Sequence, residues 1–128
     1  MRSLDSNVLL RALLGDDPVQ TPIAERLLAE PALISPTVTL ETYWVLTSRA
    51  RLPAEDAAAM LEMLMTLPGL TFADAGAVRW ALARAAAGAD FADMLHIATS
   101  AGADSFATFD RGIARHAVDS PVPVETLG

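Results

Sequence analysis

The chain contains no cysteine and no lysine. Without cysteine there can be no disulfide, no thiolate metal ligand and no cysteine nucleophile, and a reducing compartment is permitted. All nine fixed positive charges are arginines. The missing lysine excludes a P-loop, whose Gly-x-x-x-x-Gly-Lys signature is absent, and excludes Schiff-base chemistry. No apolar run approaches the roughly 20 residues that span a bilayer. Arg2-Ser3-Leu4-Asp5 follows the first methionine directly, so neither a membrane span nor a secretory leader is expected, and a cytoplasmic location is.

What is present is apolar and acidic. The chain has 128 residues, 52% of them hydrophobic, which predicts one domain over residues 1–128 with a substantial core. The formal net charge is −7. Such a balance repels phosphate and by itself argues against a nucleic-acid partner. That argument weakens if the acids are concentrated at a site that binds cations.

Strands are predicted to alternate with helices along the chain. A first strand ends at Asp5, with Ser6 and Asn7 as caps for a helix through Val8–Leu14 that Gly15 stops. A second helix covers about residues 21–30. Ala32-Leu33-Ile34-Ser35 is a buried strand, and Pro36 breaks it. Thr37 or Thr39 caps a helix through Glu41 to about Ala50. Pro53 opens the next helix, which carries Met60, Met63 and Met65. A methionine cluster at helical spacing reads as core or as a subunit contact. Leu70-Thr71-Phe72 is a third strand, and Asp74 caps the helix after it. Gly88 to Gly102 brackets a helix with Asp90 as N-cap and Asp93 one turn on. Ser105–Phe109 is a fourth strand with Asp110 at its exit, Gly112–His116 a short helix, and Pro121–Glu125 an edge strand. This alternation argues for an α/β fold with a mainly parallel sheet.

In such a fold, strand exits and the starts of the helices that follow them share one edge of the sheet, where ligands bind. Asp5, Glu41, Asp90, Asp93 and Asp110 all fall at that edge in the predicted layout. Helix capping alone accounts for Asp90 and Asp93; the placement of the other three adds a second role. Clustered carboxylates raise one another's pKa values unless a cation neutralises them. Oxygen donors without cysteine or a His-x-x-x-His spacing point to a hard ion, Mg²⁺ or Mn²⁺. Two divalent ions would offset about four of the negative charges. An acidic sheet edge of this kind suits metal-assisted phosphodiester hydrolysis.

Leu4-Asp5-Ser6-Asn7, Leu40-Glu41, Asp90-Phe91-Ala92-Asp93-Met94-Leu95-His96-Ile97-Ala98 and Ala107-Thr108-Phe109-Asp110, in this order over essentially the whole chain, resemble the PIN domain. More narrowly they resemble the VapC toxins of bacterial toxin–antitoxin pairs. The resemblance implies a three-layer α/β fold with a central, mainly parallel five-stranded sheet flanked by helices. It implies an endoribonuclease that uses Mg²⁺, with Mn²⁺ substituting, to cleave RNA through metal-activated water. Carried over by position, Asp5, Glu41, Asp93 and Asp110 match the family's four catalytic and metal-binding acids, and Asp90 matches an additional acid. Thr108 matches a small hydroxyl residue that orients a water or phosphate. The implied partners are RNA, a cognate antitoxin and a second copy of the chain, and the Met60–Met65 helix offers a contact surface. The family's cationic RNA contacts are in part lysines, which leaves Arg11, Arg49, Arg51, Arg111 and Arg115 as the candidates here.

Several residues have two readings. His96 shares a face with Asp93 and is either a general base or a packed or hydrogen-bonded helix residue; His116 reads as a helix end. Trp44 and Trp80 read as core, with base stacking as the alternative. Asn7 either caps the helix or supports the loop after Asp5. Two further functions stand beside the ribonuclease. A PIN-like module could bind only a protein or a metal. An aspartate-nucleophile phosphatase of the haloacid-dehalogenase type fits Asp5 at a strand exit, but would need a second Asp at position 7 and a lysine.

Overall fold

The computed structural model describes all 128 residues, Met1–Gly128. The elements run β1 (Arg2–Ser3), α1 (Ser6–Leu14), α2 (Gln20–Leu28), β2 (Ala32–Ile34), α3 (Pro36–Ser48), α4 (Ala54–Leu64), β3 (Leu70–Phe72), α5 (Ala75–Ala86), α6 (Phe91–Ala98), β4 (Phe106–Thr108), α7 (Ile113–His116) and β5 (Val124–Thr126). Every strand pair is parallel, so this is an α/β fold of the expected kind. The five short strands hydrogen-bond as two ladders, β1-β2-β3 and β4-β5, and not as one continuous five-stranded ladder. With two or three residues per strand, each pair supplies only two or three positions of register. The chain divides into two compact units, Met1–Ala75 and Gly76–Gly128. No helix is long and apolar enough to cross a membrane.

In the first unit β2 lies between β1 and β3, with Ala32 opposite both Arg2 and Leu70. Ala32 and Ile34 share one face of this central strand and are buried, and Leu33 on the other face is half-buried. The parallel connections require crossovers, which α1–α2 and α3–α4 provide. α1 packs on α2 and α3, and α3 on α4. Leu9, Leu46, Leu61 and Leu64 are fully buried in this unit. Gly69 enters β3 so close to the end of α2 that a Cβ there would lie 2.8 Å from the Glu30 carbonyl oxygen.

In the second unit α7 links the parallel strands β4 and β5 and packs on α6 and β5. The indole Nε1 of Trp80 donates to the Val118 carbonyl (3.0 Å), and Arg84 Nε donates to that of His116 (3.0 Å), tying α5 to the α7–β5 segment. Trp80 is therefore structural.

Several caps differ from the sequence expectation. Asp5, not Ser6 or Asn7, caps α1, its carboxylate accepting the Ser6 N–H at 2.7 Å. Ser35, not Thr37 or Thr39, caps α3, accepting from Val38 N, and Pro36 is the first helical residue. Proline lacks the N–H that would be unsatisfied at that position, so it opens the helix that it was expected to precede. Thr39 instead donates back to the Ser35 carbonyl and is fully buried. Asp74 adopts a left-handed φ of 52° and makes no side-chain cap to α5. At α2, the Asp17 carboxylate accepts from Val19 N and Gln20 N, which holds its pKa below the ordinary value. α6 stops at Thr99, three residues short of Gly102. The hydroxyls of Thr99 and Ser100 donate to the Leu95 and His96 carbonyls at 2.8 and 2.6 Å, so the helix end is satisfied without a glycine.

Candidate active site

Asp5 and Glu41 come from two elements of the first unit, the N-cap of α1 and the second turn of α3. The side chain between them is Ser6, buried in the first turn of α1. Its hydroxyl donates to Glu41 Oε1 and lies 3.4 Å from Asp5 Oδ1. A hydroxyl has one proton to give, so the Ser6 side chain fixes Glu41 while the Ser6 backbone N–H holds Asp5 beside it. Sequence reading took Ser6 for a cap and missed this link. Both carboxylates remain exposed to solvent. Ser6→Ala should keep the fold, because Asp5 still accepts the backbone N–H of residue 6. It should weaken Mn²⁺ binding and cleavage by about 10- to 100-fold, the scale of losing an orienting partner of a ligand. Calorimetric Mn²⁺ titration beside a cleavage assay would check this.

The second unit brings three of the expected acids together. Asp90, Asp93 and Asp110 line one cavity of about 200 Å³ with Gly112 and His116. Asp90 is the N-cap of α6, its Oδ1 accepting the Asp93 N–H at 2.9 Å. Asp110 follows β4, and its Oδ1 accepts from Gly112 N at 2.8 Å. A Cβ on residue 112 would lie 3.2 Å from that oxygen, so glycine lets the backbone approach the acid. Thr108 Oγ1 accepts from Asp110 N at 3.0 Å, so the observed work of this hydroxyl is to shape the turn that carries the acid.

Asp5, Asp90 and Asp110 thus each commit one carboxylate oxygen to a backbone N–H. Asp93 commits neither and is half-buried. Its pKa is raised, first by burial, then by the charges of Asp90 and Asp110, with the nearby His96 opposing them. Burying an ionised carboxylate between two others is unfavourable unless a cation joins them.

The donor chemistry fits a hard divalent ion, since every acid offers oxygen and no thiolate competes. No three His, Cys, Asp or Glu residues form a group that could hold a metal ion.

The remaining polar residues sort as follows. His96 is exposed and its ring makes no hydrogen bond, so it is not the packed helix histidine expected. His116 ends α7 as expected but also lines the acidic cavity, a position no local motif signals. Asn7 lies inside α1 and caps nothing. Arg11 is engaged by Gln20, Asp16 and Asp17, and Arg111 donates to the Gly128 carbonyl. Trp44 is 53% exposed and not core, with Arg49 5.5 Å above its ring.

Comparison with curated proteins returns no match. The family model of the PIN domain matches residues 3–119, which include every acid named above. PIN domains are in general metal-dependent nucleases that bind RNA, and the chain belongs to the PIN domain family.

Proposed function

We propose that this chain is a Mg²⁺-dependent endoribonuclease acting as the VapC-type toxin of a toxin–antitoxin pair. The observation that carries the nuclease reading is the acidic cavity of the second unit. There a half-buried carboxylate, Asp93, bears two like-charged neighbours and no hydrogen-bond donor. We assign Asp5, Glu41, Asp93 and Asp110 as the catalytic, metal-ligating acids, with Asp90 as an additional ligand. A bound divalent ion would supply positive charge and an activated water at neutral pH. Ser6 orients Glu41 and Asp5, and the Gly112 N–H orients Asp110 while leaving its second oxygen available. Asp93, with both oxygens uncommitted, gains most from an arriving cation.

The toxin role rests on the ordered motif set and the length of the match. It places the protein in the cytoplasm, as a homodimer inhibited by a cognate antitoxin. It assigns the methionine face of α4 to a protein partner. Met60 and Met63 line an apolar cavity of about 350 Å³ with Leu13 and Leu28, and Met63 is 54% exposed.

Purified protein with Mn²⁺ should cleave a mixed RNA pool to discrete fragments, and a chelator should stop it. Expression in a bacterial host should arrest growth, and the reading expects a small gene immediately upstream whose product, co-expressed, restores it. Cleavage without growth arrest would retain the nuclease and remove the toxin. Absence of both cleavage and Mn²⁺ binding would favour a module that binds only protein.

A further inference from the structure

Trp44 does not sit where a helix-interior tryptophan normally goes. Its neighbours Tyr43 and Leu46 are buried, yet the indole is 53% exposed. Thr37, Glu41, Trp44 and Ser48 are all exposed and recur at the spacing of one helical stripe on α3. Trp44 therefore lies one turn beyond Glu41, about 4.5 Å along the helix axis. Beyond it, Arg49 caps the helix and places its guanidinium carbon 5.5 Å from the ring centroid. Arg51 follows two residues on. No carboxylate lies within 4.0 Å of either arginine, in contrast to Arg2 and Arg11, which are paired. The hydroxyls of Thr47 and Ser48 turn back to helix carbonyls and do not engage the ring.

A half-exposed ring under a guanidinium that no carboxylate neutralises is an arrangement by which single-stranded nucleic acid is held. The base stacks on the ring and the backbone phosphate meets the cation. In a chain of net charge −7 with no lysine, this is one of the few places where phosphate would be attracted. We propose that Trp44 and Arg49 form a base-stacking subsite, one helical turn from Glu41, that holds an unpaired nucleotide of the RNA substrate and so favours single-stranded over duplex RNA. The subsite rests on the ribonuclease reading above. A duplex hides its base faces in the stack, so only an unpaired nucleotide can use the ring.

The test titrates the full chain, in chelator, with a short single-stranded RNA while following tryptophan fluorescence. Trp80 serves as internal reference. The wild type should be quenched, and Trp44→Phe should abolish the quench while Trp80 emission stays unchanged. Trp44→Ala should weaken single-strand affinity about tenfold, within the range of one lost base–aromatic stack, and leave duplex affinity unchanged. In Mn²⁺, the same variant should raise KM for single-stranded RNA at unchanged kcat. Arg49→Ala should lower the salt dependence of binding by about one phosphate contact. A quench that persists in Trp44→Phe, or affinity within twofold of wild type in Trp44→Ala, would overturn the subsite. So would a Trp44→Ala variant that changes its sedimentation from dimer to monomer at unaltered RNA affinity, because the ring would then be a subunit contact. Quenching without cleavage overturns the nuclease reading and supports the subsite; cleavage without quenching does the reverse.

Discussion

Asp93→Asn should abolish Mn²⁺-dependent RNA cleavage and leave the protein folded. The loss should exceed the roughly 10- to 100-fold typical of removing a partner that merely orients a metal ligand, because the variant removes a proposed ligand itself. The fold should survive because the Asp93 carboxylate makes no hydrogen bond. The α6 cap is formed by Asp90 accepting the Asp93 backbone N–H, and the substitution leaves both groups in place. Alanine at Asp5, Asp90 or Asp110 would be less clean, because each of those acids also accepts a backbone N–H that orders its own segment. Loss of an N-cap typically costs about 1 kcal/mol. Initial rates on a fixed RNA, with circular dichroism on the same samples, would check the prediction. Full activity in a folded Asp93→Asn protein would remove Asp93 from the site.

The second large effect is on stability, and its sign follows from the same residue. The folded-state pKa of Asp93 is raised by burial and by Asp90 and Asp110, with His96 partly opposing. The folded chain therefore holds this proton more tightly than the unfolded chain does. The metal-free protein should gain stability from Asp93 as pH falls from neutral toward about 4, through the raised folded-state value. It should lose that contribution as pH rises again. Asp17, with its lowered pKa, contributes in the opposite sense and only as pH falls through the ordinary carboxylate range. His116 also faces the cavity, so the comparison should be made against Asp93→Asn, which isolates the Asp93 component. At neutral pH, Mn²⁺ at a hundred times its dissociation constant should add about 2.7 kcal/mol by mass action. That gain should shrink on acidification, as protons compete for the carboxylates, and should largely vanish in Asp93→Asn. Thermal unfolding at several pH values, with and without Mn²⁺, reads all of these terms. A metal shift of equal size in the variant would mean that the ion binds elsewhere.

Some of this was readable because it depends on local chemistry. Leu70–Phe72 forms its strand at the predicted residues, since Pro68-Gly69 and Asp74 confine a short apolar run. Gly15 ends α1 in the left-handed conformation, φ 62°, that glycine tolerates. Asp90 caps α6 as its position before an apolar-periodic run suggests. The caps of α1 and α3 were misplaced because Asp5, Ser6 and Asn7, or Ser35, Thr37 and Thr39, are near-equivalent acceptors in sequence. Which one caps depends on where the strand before it releases the chain. Gly102 misled in the same way, because the hydroxyls of Thr99 and Ser100 had already satisfied the end of α6.

By itself the sequence determined the class of fold and the family, and it supplied the acids proposed as the site. Composition, periodicity and motif order are properties of neighbouring residues, and they survive without knowledge of long-range contacts. Tertiary structure decided what lies between those acids. Ser6 touches Glu41 across 35 positions, His116 joins the cavity from α7, and Trp44 faces solvent although its pattern reads as core. Each of these depends on how separate elements pack. A side chain's partner across such a separation is set by which faces meet, and local pattern does not encode that choice.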